Sequence, residues 1–230
     1  MENNSKHSGT VKAGARLTEL VFIIDRSGSM AGYEADTIGG FNSMIEKQRS
    51  GEGEVLVSTV LFNGRSEVIH DRVAIADIEP MTEQNYTACG STALLDAIGD
   101  AIHHIGNIHK YARREDVPDA TVFVITTDGE ENSSVRHSVT QVREMIKRQT
   151  EKYGWEFIFV AANIDAISVA EHIGIRRERA ANYRQSREGY DACYASMSEF
   201  VTRRRGGRLR ADDDAWKSRL EGEGKKGGKK

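Results

Sequence analysis

Three short, uninterrupted apolar runs constrain this chain more than any other feature: Leu20-Val21-Phe22-Ile23-Ile24, Thr121 to Thr126 (TVFVIT) and Phe157-Ile158-Phe159-Val160. A strand with one wet face alternates apolar and polar residues, so runs without alternation mark strands buried on both faces. Such strands need helices above and below, and helical stripes do lie between them. From Tyr33 onward Ile38, Phe41, Met44, Ile45 and Gln48 keep helical spacing; Leu95, Ile98, Ile102, Ile105 and Ile108 stripe a long helix from Thr92 to about Tyr111. Val55 to Phe62 reads as a strand. Asn63-Gly64, a strong hairpin signal, and Glu67 to His70 follow, which predicts an antiparallel strand at the sheet edge. Ser138 with Gln141 matches a capping box and Gly154 can end that helix. Asp165 can cap a short helix stopping at Gly174, Ala180 to Tyr183 reads as a last short strand, and Tyr190, Tyr194, Met197 and Val201 mark a final helix. This alternation predicts an α/β fold: a doubly wound, mostly parallel six-stranded sheet with one antiparallel edge strand and helices on both faces.

No apolar run approaches the roughly 18 residues of a membrane span, and the first residues lack the apolar segment of a secretory signal. Cys89 and Cys193 are the only cysteines, too few for a disulfide scaffold. The expectation is a reduced, cytoplasmic protein with no membrane partner. Residues 1–16 read as a flexible N-terminus, 17–205 as one domain, and 206–230 as a basic, Gly/Lys-rich disordered tail. Arg203, Arg204, Arg205, Arg208 and Arg210 crowd its start, and the chain ends EGEGKKGGKK. Residues after about Arg210 are expected to be dispensable for folding, Trp216 being the one that argues otherwise. The net charge of −3 and the lack of aromatics among the arginines count against sequence-specific nucleic-acid recognition, so nucleic acid is not an expected partner.

In open α/β sheets, ligands bind beyond the carboxyl ends of strands where the strand order reverses. Asp25-Arg26-Ser27-Gly28-Ser29 follows the first strand and Asp128-Gly129 follows TVFVIT. With strand order 3-2-1-4-5-6 these segments are neighbours, and Thr92, in the loop opening the long helix, can reach the same crevice. Any one of these residues is as well explained as a turn former or helix cap. Together they are harder to explain that way. Two buried carboxylates repel unless a cation lies between them, and Arg26 is the one candidate from the chain itself.

These three segments, in this order and at strand ends, resemble the metal-ion-dependent adhesion site of von Willebrand factor A domains. The likeness covers about Leu17 to Tyr183. It implies that Ser27, Ser29 and Thr92 carry hydroxyl ligands, and that Asp25 and Asp128 bind the metal directly or through water. It also implies a non-enzymatic scaffold or adaptor of the intracellular bacterial or phage type, with an ATPase or operon-encoded protein as a possible partner. That partner would present an Asp or Glu to the metal's open position. Small oxygen ligands favour Mg²⁺ or Mn²⁺ over Ca²⁺, and the absence of His and Cys argues against zinc. The alternatives are a metal-activated hydrolase using Asp25 and Asp128, which lacks an evident base, and nucleic-acid binding through the basic end. His103, His104 and His109 read as a solvated helix face, Cys89 as a small buried residue, and Glu130 and Glu131 as exposed loop acids. The GxGxxG match at 222–227 has no strand before it and carries no weight.

Overall fold

A computed structural model describes residues 16–208, 210 and 212–220. Its elements are β1 (Leu17–Asp25), α1 (Glu34–Arg49), β2 (Glu54–Phe62), β3 (Ser66–Ala74), α2 (Leu94–Tyr111), β4 (Ala120–Thr127), α3 (Val139–Tyr153), β5 (Glu156–Ala161), α4 (Ala166–His172), β6 (Ala180–Asn182) and α5 (Arg187–Arg205). The six strands form one sheet in the order β3-β2-β1-β4-β5-β6. Only the β2–β3 pair is antiparallel. No helix among the described residues is long and apolar enough to cross a membrane.

All nine residues of β1 are buried, and they alternate between two cores. Leu20, Phe22 and Ile24 face a cluster with Phe41 and Met44 of α1 and with Met197 and Phe200 of α5. Val21 and Ile23 face Ile98, Ile102 and Ile105 of α2 with Val142 and Ile146 of α3. This is why the run shows no alternation: both faces are covered. The caps fall where the sequence places them. Ser138 and Gln141 close a full capping box, Gly154 is left-handed at φ 65°, and Asp165 accepts from the Ser168 N–H.

Two expectations change. His104 is exposed and pairs with Asp71, but His109 is tucked between the Trp155 ring and the Glu19 carboxylate, 3.4 Å away. Glu19 is fully buried within β1 and also accepts from Arg72 Nε at 2.8 Å. A helix stripe gives no sign of an acid reached across the sheet.

The chain beyond Arg205 also differs from the expected tail. Trp216 and Leu220 are buried, and Trp216 sits edge-on to Phe200. Arg179 donates to the carbonyls of Arg210 and Asp213, fastening the segment to the domain. The expected flexible stretch before residue 16 and the last ten residues lie outside the described residues.

Candidate metal centre

The parallel order puts the ends of β1 and β4 side by side at the switch point, with Asp25 closing one and Asp128 following the other. Asp25, Ser27, Thr92 and Asp128 are buried, and Ser29 is exposed at the mouth. Ser29 Oγ donates to Asp128 Oδ1 at 2.6 Å, which leaves Ser27 Oγ as the donor to Ser29 Oγ at 3.1 Å. A hydroxyl relay thus joins the two strand ends. A methyl group built on Gly129 would stand 3.4 Å from Ser29 Oγ and 3.8 Å from Thr92 Oγ1, which places Thr92 on the same spot. The structure brings all five expected residues together.

Asp25 accepts from the Ser27 N–H at 2.7 Å and from Thr127 Oγ1 at 2.5 Å. Burial pushes its carboxyl above the ordinary range against those hydrogen bonds, and the charge of Asp128 pushes the same way. Burial likewise raises Asp128, opposed by hydrogen bonds from Ser29 and Gln185. Neither carboxylate has an ion pair among the described residues. Arg26 cannot serve as the intervening cation, because its guanidinium turns away to Glu67 at 2.7 Å. The pair is therefore held by hydroxyls, one backbone N–H and the Gln185 amide, with no cationic side chain among the described residues to offset its charge.

Backbone bonds lock the loops around this spot. Gly28 N donates to Gly90 O at 3.0 Å and Cys89 N to Arg26 O at 2.8 Å. Asn132 clasps Thr92 in both directions, its Oδ1 accepting from Thr92 N and its N donating to Thr92 O. Cys89 is exposed rather than buried: its backbone is held inward while its Sγ meets Asn63 Nδ2 at the surface.

Sequence reasoning missed Asn132 and three further supporting residues. Glu131 is not an idle loop acid; it accepts from the N–H groups of Leu95, Ser133 and Ser134 and caps the uncapped start of α2. Asp96, buried in the first turn of α2, accepts from the N–H groups of Val135, Arg136 and His137 at 2.8–3.0 Å. Burial would raise its carboxyl, but those bonds outweigh it and hold it below the ordinary range. Gln185, just past β6, donates to Asp128 Oδ2 at 2.8 Å and to Ser29 O at 3.3 Å. Its only signal in the sequence is its place after a strand end.

Asp96→Ala strips the acceptor from three backbone donors, and a loss of about 2 kcal/mol in urea unfolding is expected. Because the carboxyl is held low, the difference from wild type should shrink as pH falls through the carboxylate range. A change under about 0.5 kcal/mol would show that water replaces the side chain.

No family model and no curated protein matches the sequence. Solved structures do match. Proximal thread matrix protein 1 from the mussel byssus aligns with TM-score 0.54 and 16% identity, over 82% of this chain and 46% of that one. One structure of that protein has a zinc-occupied MIDAS motif. A von Willebrand factor type A protein from Catenulispora acidiphila aligns with TM-score 0.51 and 13% identity, over 80% of this chain and 42% of that one. Manganese-loaded TRAP protein of Plasmodium vivax gives 0.52 and 15%, over 77% and 72%. This chain thus spans less than half the length of the mussel and Catenulispora proteins. Six strands in the order 3-2-1-4-5-6, an antiparallel edge and these alignments together establish that the chain has the von Willebrand factor A fold.

Proposed function

We propose that this chain is a divalent-cation-dependent protein-binding module in which Asp25, Ser27, Ser29, Thr92 and Asp128 hold Mg²⁺ or Mn²⁺ and a partner's carboxylate completes the site. The observation that carries this reading is the pair of buried carboxylates, neither with an ion pair among the described residues, joined through the Ser27–Ser29–Asp128 relay. Such a pair is costly to bury unpaired, and its donors suit a hard cation. When bound, the cation would neutralise the pair and offer its remaining coordination to an acid from outside. The protein's own residues do the rest. Thr127 and the Ser27 N–H fix Asp25, Gln185 orients Asp128, and Asn132 holds Thr92 in place. Zinc at the mussel protein's motif and manganese in the Plasmodium protein support a divalent cation. They also weaken the case against zinc made from the missing His and Cys, so zinc belongs in the test.

The hydrolase alternative gains nothing from the geometry. The hydrogen-bond partners of both carboxylates are hydroxyls, an amide and backbone N–H groups, none of which is a general base.

A partner captured from host lysate with Mg²⁺, and released by EDTA, allows a direct test. Its affinity should fall at least tenfold for Thr92→Ala and for EDTA-treated protein, and should depend on one Asp or Glu of the partner. Equal affinity in all three samples would move binding to another surface.

A further inference from the structure

A second charged surface lies at the opposite pole. Arg16 precedes β1, Glu52 precedes β2, and Arg208 follows α5, so they gather about 30 Å along β1 from Asp25. There Arg16, Lys47, Arg203, Arg205 and Arg208 line a groove of about 780 Å³ whose one carboxylate among the described residues is Glu52. The cations are not equivalent. Arg203 is paired with Glu199 and Asp213, and Arg205 is spent on the carbonyls of Gln48 and Glu52. Arg16, Lys47 and Arg208 are exposed and have no ion pair among the described residues. The turn is shaped to admit them. A methyl group on Gly207, which is left-handed at φ 66°, would come within 2.7 Å of Arg16 Nη1. On a chain of net charge −3, this concentration of positive charge is local and sequence-encoded.

We propose that this groove binds the phosphate backbone of a nucleic acid without reading its bases. Arginine presents a planar fork that suits phosphate oxygens; the hydroxyls of Ser50 and Thr202 in the lining are already donated to the carbonyls of Lys47 and Ser198, so the contact falls to the cations. Among the described residues no aromatic or large aliphatic side chain lines the groove, so they offer neither the stacking that reads single-stranded bases nor the apolar anchor of a protein interface. Backbone contact alone needs only these cations, and it is consistent with the absence of aromatics among the arginines of the sequence. The metal centre plays no part in it.

Fluorescence anisotropy with a labelled 20-base-pair duplex of arbitrary sequence tests this on the full chain. Binding should be sequence-independent, near 10⁻⁴–10⁻⁶ M at physiological salt, and unaffected by EDTA or Asp25→Ala. Arg16→Glu with Arg208→Glu should lower affinity at least tenfold and flatten the salt slope by roughly two. Arg16→Lys with Arg208→Lys should stay within a few-fold of wild type. If the reversed protein melts early, Arg16→Gln with Arg208→Gln serves instead. Four outcomes overturn the proposal: no duplex binding; unchanged binding in the reversed protein with loss only when Lys225, Lys226, Lys229 and Lys230 are replaced; loss of binding in EDTA; or capture of a polyglutamate peptide but not the duplex.

Discussion

Trp216→Ala is expected to destabilise the protein by about 3–5 kcal/mol, the range for deleting a fully buried aromatic side chain. In a domain of this size that lowers the melting temperature by roughly 6–20 °C. The indole is 0% exposed, meets the Phe200 ring at 5.6 Å and 73°, and donates Nε1–H to Glu178 O at 2.9 Å. Its neighbours anchor the same segment. Arg179, buried beneath it, stacks over Phe200 and binds Glu156, and Lys217 Nζ donates to Arg177 O at 3.1 Å. Truncation after Arg210 removes the Trp216 and Lys217 contacts and the Asp213 carbonyl bound by Arg179 together, and should cost at least as much as the point substitution. Trp216→Phe keeps most of the packing and loses the hydrogen bond, so about 1 kcal/mol is expected there. Differential scanning calorimetry distinguishes these outcomes. A truncated chain melting within a degree or two of wild type would restore the disordered-tail reading.

The packing of Trp216 and Leu220 was missed because its signal is short. Trp216 and Leu220 are four residues apart on one face, but three aspartates precede them and a Gly/Lys-rich stretch follows. Compositional reasoning averages over such a window and hears only the charge. The central sheet was legible for the opposite reason. β1, β4 and β5 each carry their own apolar run, and the Asn63-Gly64 signal marks the one antiparallel pairing locally, although the loop runs three residues, from Asn63 to Arg65. The order 3-2-1-4-5-6 was the condition on which the chemistry-bearing loops were expected to share a switch point, and that order holds.

The candidate metal centre divides along the same line. Asp25, Ser27, Ser29, Thr92 and Asp128 were legible because each lies at the end of a recognisable strand or the start of a recognisable helix. Asp96, Glu131 and Asn132 were not, although they hold the Asp128 loop against α2. Their roles depend on which backbone N–H groups face them after folding, and nothing in residue type or spacing carries that. The arginines after Ser198 show the same gap. Their charge was plain in the sequence, but only the fold turns Arg16, thirty-one residues before Lys47 and far from Arg208, into their neighbour.

Asp25→Asn should separate the metal reading from a purely structural one. The amide keeps the carboxylate's shape: its oxygen can still accept from the Ser27 N–H, and its nitrogen can donate to Thr127 Oγ1, whose hydroxyl then turns to Gly129 O at 3.1 Å. Without metal the variant should therefore be at least as stable as wild type at pH 7, because a buried charge has been removed and no hydrogen bond lost. The pH dependence follows from the same raised carboxyls. A group whose folded pKa lies above its unfolded value favours the folded state at low pH, and that advantage is lost as pH rises through the folded pKa. Relative to Asp25→Asn, metal-free wild type should thus lose stability as pH rises from the ordinary carboxylate range through the raised folded pKa. Metal reverses the ranking. At a hundred times the dissociation constant, Mg²⁺, Mn²⁺ or Zn²⁺ bound only to the native state adds about 2.7 kcal/mol to wild type, or roughly 5–11 °C of melting temperature. The variant should shift by less than about 0.5 kcal/mol, within the scatter of a neutral substitution. A metal-free variant that unfolds early, with a metal shift equal to that of wild type, would make Asp25 a structural acid and place the cation elsewhere.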